Sequence, residues 1–137
     1  MKKHMRYIWF LSAVFVWVML TGMGKVPGPD VPTPEIDFKA AVRDDQDITT
    51  KIQHASLDGN IFFTGTRGKG VVTISFEKVR KVVNRGPGVS GKTDFQITLR
   101  SGDVVAVSLP DDARLLGVTS YGTFRILVIN IKEINFE

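Results

Sequence analysis

The chain has 137 residues, with 18 Lys and Arg against 14 Asp and Glu, two His and no Cys. The lack of cysteine excludes disulfides, thiolate chemistry and Cys-based metal centres, so the folded part is held by its core alone. The formal charge of +4 is no nucleic-acid footprint: residues 1–35 carry four basic and two acidic groups, leaving 14 basic against 12 acidic groups in residues 36–137.

At the N-terminus, Lys2, Lys3 and Arg6 precede an apolar run, Ile8–Leu20, broken only by Ser12. Basic region, apolar core and small residues beyond it are the parts of a secretory signal, so the remainder is expected outside the cytoplasm, periplasmic or extracellular. Gly22-Met23-Gly24 is the best small-x-small cleavage site and leaves Lys25 as the new N-terminus. Leu20-Thr21-Gly22 resembles the start of a lipoprotein box, but Met23 stands where the lipidated Cys must be, which excludes lipidation. Tyr7–Met23 counts 17 residues, the short end of a bilayer-spanning helix. A retained single-pass anchor, touching membrane only through residues 7–23, is therefore the alternative to cleavage. Both readings make residues 1–24 a signal peptide or anchor.

Residues 25–35 form a linker, with four prolines between Pro27 and Pro34 favouring an extended polyproline-like spacer. Residues 36–137, about 100 in number, suffice for one core.

From Ile36 onward the apolar period is two. Ile36, Phe38, Ala40 and Val42 alternate with other residues, as do Val72, Ile74 and Phe76, then Phe95, Ile97 and Leu99, then Val105, Val107 and Leu109, then Phe124, Ile126 and Val128. Between them stand hairpin signals: Asp58-Gly59, Arg67-Gly68-Lys69-Gly70, Ser101-Gly102 and Tyr121-Gly122. No window carries a convincing amphipathic helix, although Pro110–Leu116 could hold one turn. The pattern predicts an all-β domain, a single sandwich or barrel of about eight to ten short strands. Lys78, Arg80, Lys81 and Arg85 form a basic run that reads as charge protection of an edge strand.

Gly70–Val82 superposes on Gly122–Ile134 with the glycine and five apolar positions in register. The unit is a strand, a corner and a second strand that exchanges faces. It predicts an internal duplication.

Tyr121-Gly122-Thr123-Phe124-Arg125-Ile126 followed by Ile131–Phe136 resembles a closing element of small bacterial envelope β domains, Y-G-x-F-x-I-P-L-x-x-I-x-x-I-x-F, with Leu127 in place of the usual proline. The resemblance implies an exported small β domain. It implies no activity and no binding residue.

Gly86, Gly91, Lys92 and Thr93 fit the phosphate-loop spacing G-x-x-x-x-G-K-S/T, with Gly88 inside the loop. A nucleotide-binding loop opens a helix, whose N-terminus and amides hold the phosphates. Here Asp94–Arg100 alternates as a strand, and the apolar run Ile126–Ile129 ends in Asn130 where a Walker B carboxylate would stand. The segment is expected to be a glycine-rich connection, with a weak anion nest at Arg85, Gly86, Gly88, Gly91, Lys92 and Thr93 as its functional alternative. Asp44, Asp45 and Asp47 are the metal candidates, a Ca2+ loop being the reading against a solvated turn, since the EF-hand glycine and terminal Glu are absent. His54 has no second His near it, and Ser90 lacks the G-x-S-x-G context of a hydrolase.

No convergent set of acids, bases or ligands points to an enzyme, and no cofactor is indicated. The expected function is a non-enzymatic structural or interaction module of the envelope whose partner is another envelope protein. The alternative is a small-ligand, anion or Ca2+ binder using surface loops. Cleavage after Gly24 removes both tryptophans, Trp9 and Trp17. Protein isolated from its native host should then show no tryptophan fluorescence, whereas tryptophan emission from that material identifies a retained anchor.

Overall fold

The computed structural model describes residues 33–137; the expected signal or anchor, 1–24, and linker residues 25–32 lie outside the described residues. Ten strands follow one another: β1 (Ala40–Asp44), β2 (Thr49–Leu57), β3 (Phe62–Arg67), β4 (Gly70–Ser75), β5 (Val79–Pro87), β6 (Lys92–Leu99), β7 (Val104–Pro110), β8 (Arg114–Thr119), β9 (Gly122–Leu127) and β10 (Ile131–Phe136). The only helical pieces among the described residues are single 3₁₀ turns at Phe76–Lys78 and Val128–Asn130. All pairings are antiparallel, in one sheet ordered β4-β3-β7-β6-β5-β10-β1-β2-β8-β9 and curled into a half-barrel.

The period of two determines the faces. In β6, Thr93, Phe95 and Ile97 are buried while Lys92, Asp94 and Gln96 look outward; Val107 and Leu109 of β7 and Ala40 and Val42 of β1 join the same core. Phe63, Phe76 and Phe136 are packed there with centroids 4.7 and 5.1 Å apart, and Phe38 stands edge-on to Phe76 at 5.8 Å. Each such side chain withdrawn from water contributes about 1.5–3 kcal/mol.

The strand order reads the same from either end once β1–β5 are exchanged with β6–β10. The six pairs of the β3–β4 hairpin, Phe62↔Ser75 through Arg67↔Gly70, recur 52 positions on as Arg114↔Leu127 through Thr119↔Gly122. Ala40 faces Ile52 and Phe136 as Phe95 faces Val107 and Asn84. The register slips that skip Lys132 opposite β1 and Arg80 opposite β6 are equivalent bulges. Duplication thus extends beyond the strand-corner-strand unit to the whole domain. A pseudo-two-fold axis passes between β5 and β10, where Val82 faces its own counterpart Ile134.

The halves are interlocked. The β3–β4 hairpin of the first half joins β7 of the second through Thr66↔Ser108, and the β8–β9 hairpin of the second joins β2 of the first through Gln53↔Val118.

Several expectations need correction. The first strand begins at Ala40, not Ile36, which is 55% exposed. Pro34 and Asp37 are instead tied to His54, whose Nδ1 lies 3.1 Å from the Pro34 carbonyl and whose N–H donates to Asp37 at 2.7 Å. Asp58-Gly59 makes a tight turn with φ of 51° and 89°, but the strands it joins separate after the Leu57↔Asn60 bridge and pair with the other half. Pro110–Leu116 holds no helical turn: Pro110 ends β7, residues 111–113 make the turn and β8 begins at Arg114. Of the basic run, Lys78 ends the 3₁₀ corner and Arg80, Lys81 and Arg85 lie on β5, at the centre of the sheet, so edge protection does not account for it.

Gly65 and Gly117 are equivalent residues at the two crossings, both buried. A Cβ on Gly117 would sit 2.6 Å from Cβ of Ile52, and one on Gly65 would overlap the Ser108 carbonyl and the Val107 side chain. Neither has the positive φ that favours glycine, so the requirement is room. Gly65→Ala and Gly117→Ala should each cost about 1–3 kcal/mol or more in chemical denaturation, because backbone must move to admit the methyl. Gly68→Ala, in open space, strains only its φ of 61° and should cost about 1 kcal/mol.

Candidate functional site

The phosphate-loop match closes the β5–β6 hairpin. Gly86 and Pro87 still pair with Asp94 and Thr93, Gly86 and Gly91 hold φ of 112° and 81°, and strand β6 begins at Lys92 where a nucleotide fold would start its helix. Thr93 is buried and donates its hydroxyl to Asp111 Oδ1 at 2.6 Å, so the group that would hold Mg2+ in such a loop is committed within the fold. Gly88 backs directly on the Asp94 carboxylate. Lys92 leaves the loop altogether and places Nζ 3.2 Å from Thr66 Oγ1 on β3. Arg85, exposed, makes no hydrogen bond or ion pair among the described residues. The loop amides, Lys92 and Arg85 therefore do not close around one nest.

The Asp44–Asp47 segment is a capped turn. Asp44 Oδ1 accepts from the N–H groups of Gln46 and Ile48 at 2.9 and 3.0 Å, Asp45 gives its N–H to the Asn130 carbonyl, and Asp47 pairs with Lys132 at 2.9 Å and Arg43 at 3.6 Å. The hydrogen bond from Lys132, with its charge and that of Arg43, holds the Asp47 carboxyl below the usual range. Among the described residues no three His, Asp or Glu side chains converge as a metal site.

Two further carboxylates are held low for structural reasons. Asp37 is lowered chiefly by the His54 N–H, and Glu133 by the Asn135 amide at 2.9 Å and by Lys81 at 3.3 Å. Lys81 and Glu133 are the same position of the two halves, opposite in charge and joined across the pseudo-axis.

The concave features come in matched pairs. One cleft of about 340 Å3 is lined by Lys39, Ala40, Ala41, Lys51, Ile52, Gln53, Val118, Thr119, Ser120 and Glu137. Applying the pseudo-symmetry to those ten positions gives Asp94, Phe95, Gln96, Ala106, Val107, Ser108, Thr66, Arg67, Gly68 and Arg85, the lining of a second cleft of about 430 Å3. Each opens where an exchanged hairpin departs from the strand that receives it. No position keeps its residue, so backbone shapes both clefts and side chains distinguish them.

The barrel ends differ in a similar way. Phe38 stands against the aromatic cluster at one end and also lines an open cleft of about 400 Å3 with Asp37, Glu77 and Arg100; its counterpart Thr93 lines a smaller one of about 150 Å3 beside Asn84 and Asp111 at the other. Asn84 is itself spent on the Ile131 carbonyl at 2.8 Å and on the Gly86 N–H at 2.7 Å. Sequence reasoning missed Arg67 and Thr66 as neighbours of Lys92; the pairing of Thr66 with Ser108, a contact between halves, brings them together.

The sheet also has two ends, β4 and β9, which are equivalent. The two-residue turn at Gly68-Lys69 makes Arg67 and Gly70 a hydrogen-bonded pair, so the backbone groups of Val71, Thr73 and Ser75 point away from β3. β4 carries no charge and Val71 is 73% exposed; at the position of Thr73, β9 carries the exposed Arg125.

Thr93→Val should lower stability by about 1 kcal/mol in thermal denaturation, since it removes a hydroxyl, buried at Thr93, that donates to half-buried Asp111. An unchanged melting temperature would refute the structural role assigned to that hydroxyl.

No curated protein and no solved structure matches the chain. A family model described as "Uncharacterised protein" matches residues 34–137, the whole of the described β domain, and the chain belongs to that family.

Proposed function

We propose that this protein is an exported, non-enzymatic interaction module of the bacterial cell envelope, which receives an extended segment of another envelope protein along the free edge of β4. The carrying observation is the difference between the two sheet ends. Strand addition needs a row of unpaired N–H and C=O groups without charge or proline to repel an incoming strand. β4, Gly70–Ser75, has that character, whereas β9 places Arg125 at its centre.

The N-terminal reading supports the placement. A basic and apolar leader followed by a proline-rich spacer delivers or tethers the domain outside the cytoplasm, with β4 free to meet a neighbour. The Tyr121–Phe136 element, which here builds β9, its corner and β10, resembles that of other envelope β domains.

A photo-crosslinker at Val71, in cells of the native host, should capture a defined partner protein. Thr73→Arg should abolish that capture while leaving the unfolding free energy within about 0.5 kcal/mol of wild type, because the fold already carries arginine at the equivalent position. Capture undiminished by Thr73→Arg, or found only from other surfaces, would refute strand addition at β4.

A further inference from the structure

The two clefts share a backbone frame but not a charge pattern. In the second, Arg67 reaches across the floor to the Ala106 carbonyl at 3.2 Å with Nη1, which fixes the guanidinium and leaves its other donors available. Arg85 lines the opposite wall without a partner among the described residues. Lys92 approaches the same edge through Thr66, and the hydroxyls of Thr66 and Ser108 and the amide of Gln96 lie between the cations. The one carboxylate, Asp94, is held by the Ser108 hydroxyl at 2.6 Å and is packed against Gly88. Three cations against one carboxylate remain.

In the first cleft the same positions are inverted. Asp37 stands for Lys92, Thr119 for Arg67, Glu137 for Arg85 and Lys39 for Asp94. Lys39 is already paired with Asp37 at 3.3 Å. One frame has thus diverged into a cationic cleft and an internally neutralised one.

We propose that the cleft lined by Arg67, Arg85 and Asp94, with Lys92 at its rim, binds a small ligand bearing two or more phosphate or carboxylate groups. Guanidinium forks match both kinds of oxygen pair, and two of them on opposite walls match a ligand with an anionic group at each end. The volume, about 430 Å3, lies within the range of small-molecule sites, roughly 300–1,000 Å3. This site is on the outer face of β6 and β7 and is separate from the β4 edge, so either proposal can fail without the other.

Calorimetric titration of the full chain with pyrophosphate and, separately, with citrate tests it at physiological ionic strength. Saturable binding of either probe at one site per chain is expected, and the stronger probe assigns the class of oxygen. Arg85→Gln should weaken that binding about tenfold or more, Arg67→Gln likewise, and Lys51→Gln in the twin cleft should leave it unchanged. Absence of saturable heat with both probes at millimolar concentration would overturn the proposal, as would equal weakening by Lys51→Gln and Arg85→Gln, the mark of a general charge effect. Since Arg85 has no structural partner, loss of folding is not the expected cause of its effect; an unchanged melting temperature of Arg85→Gln confirms that control, and a lowered one would count against the free guanidinium on which the site depends.

Discussion

The close approach of backbone to side chain at Gly65 and Gly117 is the constraint on which the architecture depends. At these two points a hairpin from one half lies against a strand of the other, and the missing side chains set how near it can come. Were either crossing forced apart, the sheet would lose more than a local pair. The β3–β4 or β8–β9 hairpin would lose its only strand pairing outside the hairpin among the described residues, and an isolated two-stranded hairpin is marginal in water. Exchange also makes the halves mutually dependent: the core contains Phe63 beside Phe136 and Leu115 paired with Leu57, residues distant in sequence. Such contacts carry a large loop-closure cost that only the completed core offsets.

Symmetry then explains a feature that composition hides. In an assembly of two identical halves, Lys81 would face Lys81 across the axis, or Glu133 would face Glu133. Joined in one chain, the positions have become opposite, and Lys81, Glu133, Arg43 and Asn135 form a linked polar group over the central strands. The same release from identity fills one end of the core with Phe38, Phe76 and Phe136 and places Thr93, Val128 and Asn84 at the other. Covalent joining lets each half specialise while the shared frame remains intact.

Much of the fold was legible in the residues. Alternation named the inward faces of β6, β7 and β9, three of the four turn signals close hairpins, and the match of Gly70–Val82 to Gly122–Ile134 became two strands joined by a 3₁₀ corner in each half. Neighbours were not legible, because a period of two states which face is buried but not which strand lies alongside. Asp58-Gly59 shows the limit: its turn chemistry is right, yet the strands it joins pair elsewhere. The remaining repeat was masked by a change of spacing, with Lys39 and Asp94 55 apart but Phe62 and Arg114 52 apart. The bulge of β2 between Gln53 and Ser56, where His54 has φ of 51°, takes up one of those three residues, and the longer run from Ser56 to the start of β3 takes up the others. For the site, Arg85 and Lys92 were visible as charges beside a glycine-rich loop. What brings Arg67 and Thr66 to them is the pairing of β3 with β7, between halves, and no local motif reports it.

An open sheet with two equal, unguarded edges has a further difficulty. Any strand that can add to one end can add to the other, and a copy of the chain is always available at its own concentration, so equal edges invite open-ended stacking. Arg125 breaks that equality. Exposed on β9, the charge leaves the ladder to β8 whole and raises the cost of bringing a second strand alongside. The corresponding position on β4 is the uncharged Thr73. On the proposed reading, divergence of this single equivalent pair makes a two-ended sheet one-ended, so that addition stops after a single partner.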